Sequence, residues 1–188
     1  MYARSFRHRV GSYSLTDPDL PKITVDYPED AYNLWRHKGF KGRVIVSLGR
    51  RLNFVYLEPS SLIPPMSFPV RVFNLSKTIE DNLKAENFLF VSMETGIARE
   101  VIHIVPEEIF FEKMQYAREE EGVTVDGSVI NVPFYGSPRV ITTISYLWPS
   151  NEPVLLYVNA SIFKDYEPEE LLRELVKKDL KTDIVVLC

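Results

Sequence analysis

Few residues in this chain could carry chemistry. The histidines are His8, His37 and His103, and Cys188 is the one cysteine. Imidazole titrates near neutral pH, so each histidine is a candidate for proton transfer. His8 lies in a basic stretch. His37 falls in the last turn of a predicted helix, where a cation suits the dipole. His103 alternates with Val101 and Val105 in a strand-like run. That pattern reads first as a satisfied, half-buried histidine, and second as the best single group for proton transfer. Arg50 and Arg51 are adjacent and present the planar guanidinium forks that hold carboxylate or phosphate. Ser60 and Ser61 sit among prolines, where turn formation accounts for them. The chain has no phosphate-cradling glycine loop, no HExxH pair and no nucleophile elbow. A single cysteine excludes an internal disulfide framework and a cysteine-rich zinc site.

The elements that must position these groups follow from periodicity and punctuation. Strands are predicted at Lys22–Val25, Arg43–Leu48, Leu52–Leu57, Val70–Leu75, Glu100–Val105, Arg139–Leu147, Val154–Val158 and Thr182–Leu187. Pro28-Glu29-Asp30, Pro106-Glu107-Glu108 and Pro168-Glu169-Glu170 each open a helix, because proline tolerates the first turn and carboxylates suit the positive end of the dipole. Gly39 can end the first of these. A further helix starts near Ser76, carries Ile79 and Leu83 and runs toward Met93. Asp126-Gly127 between Val123–Val125 and Val129–Val132 predicts a hairpin, since that pair meets the positive-φ demand of a two-residue turn. Strands alternating with helices imply an α/β domain over 22–188: a mainly parallel sheet with helices on both faces and a β-hairpin insertion near 123–132. Residues 1–21 are polar and broken by Pro18 and Pro21, which reads as an N-terminal arm.

A chain of 188 residues with 45% apolar and 12% aromatic side chains can fill a sizeable core without staples. No run reaches the ~20 apolar residues needed to span a bilayer, and MYARSFRHRV has no signal-peptide core. The expectation is a cytoplasmic protein that engages no membrane. Net charge is −4, divided as +5 over residues 1–53 and −9 over the rest. A dedicated nucleic-acid binder is not expected. The basic third reads as a solvated arm with surface charge, or as a face that docks anions or a partner.

Three segments share a family resemblance. Asp26–Trp35 followed by Gly42–Phe54 looks like the opening of the arginase-like (ureohydrolase/deacetylase) fold, in which an acidic helix start and a Trp precede a strand ending in Asp-Ala-His-x-Asp. Asn87–Phe90 with Glu94–Pro106 is similar to a helix–strand segment of the same group. Pro153–Phe163 resembles the strand that normally ends Asp-x-Asp-x-Phe. The resemblance implies a three-layer α/β fold, and in active members a manganese- or zinc-type centre. Carried over position by position, the ligands of the first motif fall on Gly49, Arg51 and Asn53, and those of the second on Asn159 and Ser161. A metal centre needs carboxylate and imidazole donors. At ~4 Å and an effective dielectric of ~20, a guanidinium repels a divalent ion by about 8 kcal/mol. No metal and no cofactor is therefore expected. The alternative is that these residues are ordinary strand termini of an unrelated α/β protein.

The first functional reading is a non-catalytic, arginase-like protein that binds a partner protein or a small anion, with Arg50, Arg51, Asn53, Asn159 and Ser161 as the ligand-binding candidates. It could assemble as a homo- or hetero-oligomer. The second is a metal-independent enzyme of unspecified reaction, using His103 or the Arg50/Arg51 pair. The third is a nucleic-acid or anionic-surface module using the basic third.

Overall fold

The computed structural model describes residues 12–55, 75–134, 137–150 and 152–188. Eight strands form one mixed sheet: β1 (Lys22–Thr24), β2 (Arg43–Leu48), β3 (Ala98–Ile104), β4 (Thr124–Asp126), β5 (Val129–Phe134), β6 (Ser137–Thr142), β7 (Val154–Val158) and β8 (Thr182–Leu187). Their spatial order is β1-β8-β7-β2-β3-β6-β5-β4. The first six in that order run parallel, and β5 and β4 add an antiparallel edge. β4 and β5 are joined through Gly127 and Ser128, with Gly127 at φ 56°.

β2 and β7 occupy the centre because RVIVSL and VLLYV are apolar on both faces, as buried parallel strands require. Ile45, Val101, Leu155, Tyr157 and Ile184 pack under helix α1 (Pro28–His37) and helix α3 (Phe88–Glu94), with Trp35 and Phe88 fully enclosed. Val44, Val46, Leu48, Ile102 and Leu156, of opposite parity, pack against Leu171 and Leu175 of helix α5 (Pro168–Lys177). On the α1 side of the sheet, Ile130 and Ile141 meet Phe110 and Ala117 of helix α4 (Glu107–Ala117). Burying each such large side chain contributes roughly 1.5–3 kcal/mol.

The helix starts follow the proline-acid pattern, and α1 stops as Gly39 allows. Gly39 sits at φ 74°, Phe40 N–H donates to Trp35 C=O at 3.1 Å, and Gly39 N–H donates to Arg36 C=O at 3.0 Å. That pair of bonds closes the last turn.

Four expectations change. Leu52–Val55 forms no strand: Asn53 takes a left-handed φ of 50°, which ends extended backbone, and residues 56 and 57 lie outside the described residues. Of the strand expected at Val70–Leu75, residues 70–74 lie outside the described residues, and Leu75 instead opens helix α2 (Leu75–Asp81). The helix expected to run from Ser76 toward Met93 is divided into α2 and α3. Asn87 makes the break: its Oδ1 accepts Lys84 N–H at 2.8 Å and its Nδ2 donates to Asn82 C=O at 2.9 Å. The strand expected to reach Leu147 ends at Thr142, and Ile144–Tyr146 form a 3-10 turn. In the expected arm, residues 12–21 are irregular but packed. Tyr13 exchanges two backbone bonds with Thr182, and Leu15 and Leu20 are buried. Among the described residues no helix is long and apolar enough to cross a membrane.

The order of strands sets the position of the site. From β2 the chain moves to β3 on one side, and from β7 it moves to β8 on the other. The connections therefore diverge between β2 and β7, and ligand crevices in α/β sheets lie outside the carboxyl ends at such a point.

Candidate functional site

Gly49–Arg50 and Asn159–Ser161 meet at that point, as the carboxyl extensions of neighbouring parallel strands. Asn159 N–H donates to Leu48 C=O at 2.8 Å, and Arg50 N–H donates to Ser161 Oγ at 3.2 Å. The approach is close at Gly49. A Cβ on Gly49 would lie 3.1 Å from Asn159 Cβ and 3.6 Å from Ser161 Oγ. The polar groups are occupied locally. Asn159 Oδ1 caps the 3-10 turn Ala160–Lys164 by accepting Ser161 N–H at 3.0 Å, and its Nδ2 donates to the Tyr157 hydroxyl at 3.2 Å.

The remaining candidates diverge. Arg50 bonds Asp165 through Nη1 and lies 3.7 Å from Glu108 through Nη2. The Asp165 hydrogen bond, above all, holds its guanidinium above the usual arginine range. Arg51 is exposed and has no hydrogen bond or ion pair among the described residues. Asn53 does not bond Asn159 or Ser161. Its Nδ2 donates to Ala85 C=O at 2.6 Å, and its carbonyl accepts Leu89 N–H at 3.3 Å. Its Oδ1 is buried without a partner among the described residues.

A second polar cluster lies on the α1–α3 face. Register places Tyr157, Ser47, His103 and Ile141 in one row across β7, β2, β3 and β6. His103 is 1% exposed, fully buried rather than half-buried. Arg139, two residues back on β6, donates Nε–H to His103 Nε2 at 3.3 Å. Arginine offers only donors, so Nε2 must be the acceptor and the imidazole proton sits on Nδ1. That Nδ1 is buried and has no partner among the described residues. Phe54 covers both groups: Arg139 Cζ lies 4.2 Å from its ring centroid, and its ring meets His103 edge-on at 6.0 Å. Burial, and then the Arg139 charge, hold His103 well below the ordinary imidazole range. Burial also brings Arg139 down to about 10, with Glu120 acting through space in the other direction. Tyr157, against Phe88 at 4.9 Å, is raised chiefly by burial.

These facts constrain the chemistry. The lone pair on His103 that could take a proton is engaged by a cation, so His103 is a poor general base and is neutral at physiological pH. His37 is exposed at the end of α1, while His8, Ser60 and Ser61 lie outside the described residues. Among the described residues no three His, Cys, Asp or Glu side chains come together to hold a metal ion.

Sequence reasoning missed Arg139, Phe54, Tyr157 and Asp165. A signal existed for the first: Arg139 has the parity of Ile141, the buried face of its strand. Comparisons with protein-family models, with curated proteins and with solved structures find no match.

Proposed function

We propose that this chain is a non-catalytic, arginase-like protein that acts by binding a partner protein or a small anion. On this reading its sheet and helices are the three-layer arrangement of that group, with β4 and β5 inserted at the edge. It works in the cytoplasm, alone or in an oligomer. One observation carries the proposal. Two of the positions that the resemblance assigns to metal ligands, Asn159 and Ser161, close on Gly49 and Arg50 at the divergence point, and their side chains are engaged in local hydrogen bonds.

Arg50 is already neutralised by Asp165 and Glu108, which leaves Arg51 as the original candidate cation without an ion pair among the described residues. An exposed guanidinium of this kind suits an acidic partner surface. The enzyme reading loses ground because the imidazole of His103 is enclosed and its acceptor nitrogen is taken. Thermal melts with manganese and zinc test the proposal. A bound metal stabilises the folded state by mass action, so the expected result is no shift. Stabilisation by either ion overturns the non-catalytic reading.

A further inference from the structure

The first polar cluster is satisfied; the second is not. Arg139 is a partly buried cation whose Nε is tied to a neutral imidazole, with one guanidinium face covered by Phe54. Nη1 and Nη2 have no partner among the described residues, and neither is fully enclosed. Glu120 acts on it through space but makes no ion pair. Buried cations are ordinarily paired with a carboxylate. Both the stacked ring and the bond to His103 fix the plane of the fork and leave its Nη edge open. An oriented, partly buried guanidinium edge with no acceptor among the described residues is the complement of an oxyanion.

We propose that Arg139, oriented by His103 and Phe54, is the binding site for a small oxyanion, a carboxylate or phosphate group held in the plane of the guanidinium. A planar fork matches two oxygens of either group, and the low-dielectric surroundings strengthen the pairing. This site rests on the binding reading above and names its ligand class. Arg139 also lines, with Val132, a cavity of about 310 Å³ at the edge hairpin. The cavity's Thr124, Asn131, Pro133 and Pro138 share the parity of Val140, opposite to the Arg139 side chain.

The test uses the full chain at low ionic strength, titrated separately with inorganic phosphate, acetate and chloride. Arg139→Met, Arg139→Lys and the unmodified protein are compared by thermal melts and by the imidazole nitrogen resonances of His103. Phosphate or acetate at about ten times Kd should raise the unmodified protein's melting temperature by roughly 3–5 °C. It should also shift the His103 Nε2 resonance, through the hydrogen bond from Arg139, while chloride does neither. Arg139→Met should lose both responses, and Arg139→Lys, which keeps the charge but not the fork, should bind about tenfold more weakly. The arm that responds, phosphate or acetate, identifies the group. Equal responses in the unmodified protein and Arg139→Met, or none in either, overturn the site. A parallel manganese arm separates the two failures: a flat anion response without metal binding removes only this site, whereas metal binding removes the non-catalytic reading.

Discussion

His103 gives the sharpest link between burial and a measurable quantity. The unfolded chain protonates this imidazole near its ordinary value of 6.5, while the folded state holds it well below. A histidine with a depressed folded pKa contributes nothing above 6.5, where both states are neutral. As pH falls below 6.5 the unfolded state binds the extra proton, and stability is lost at about 1.4 kcal/mol per pH unit. His103 is enclosed, so solvent does not screen the effect away. Glu94, Glu100 and Asp183 act in the opposite sense at lower pH, because burial raises their carboxyls and protonation there favours the folded state. A difference against His103→Gln removes their contribution, since glutamine can still accept from Arg139 but does not titrate. Urea unfolding of both proteins at pH 7.5 and 5.5 should show the unmodified chain losing about 1.4 kcal/mol more than the variant. At an m-value near 2 kcal/mol/M that is a relative midpoint shift of roughly 0.7 M. Parallel pH profiles would refute the reasoning, because they would mean the imidazole titrates alike in both states.

Other substitutions probe the strand ends and the helix break by the same denaturation assay. Asn159→Ala removes the cap on Ser161 N–H and the donor to Tyr157, and should cost about 1–2 kcal/mol. Asn159→Asp keeps the cap and should cost under about 1 kcal/mol, so equal losses would contradict the capping role. Gly49→Ala forces its new methyl to 3.1 Å from Asn159 Cβ and should destabilise by roughly 1–3 kcal/mol. Asn87→Ala strips both side-chain bonds from a residue 1% exposed and should cost about 1–3 kcal/mol, with a neutral result denying that Asn87 makes the break.

The sheet's parallel core was legible because its signals are local and redundant. Runs such as Val154–Val158 and Thr182–Leu187 are apolar at both parities, and proline followed by two acids marked the starts of α1 and α5, with Pro106 doing the same just before α4. The meeting of Gly49 with Asn159 and Ser161 was reachable only through motif mapping, since 111 residues separate Arg50 from Ser161. What periodicity could not deliver were contacts made by single side chains. Asn87 breaks a helix through two bonds that propensity does not encode. Asp165 and Glu108 reach Arg50 from two different connections, so nothing near Arg50 announced its neutralisation. Arg139 follows Pro138 at a strand start and reads as surface charge until β3 and the Phe54 segment are folded over it.

We propose that this fold, whatever its ancestry, acts by binding and without a metal centre. Metal analysis of the full chain purified without chelator, read together with melts in added manganese and zinc, tests it most directly. Substoichiometric metal and an unchanged melting temperature with either ion are expected. Two equivalents of bound metal per chain, or a melting temperature that climbs with metal concentration, would contradict it.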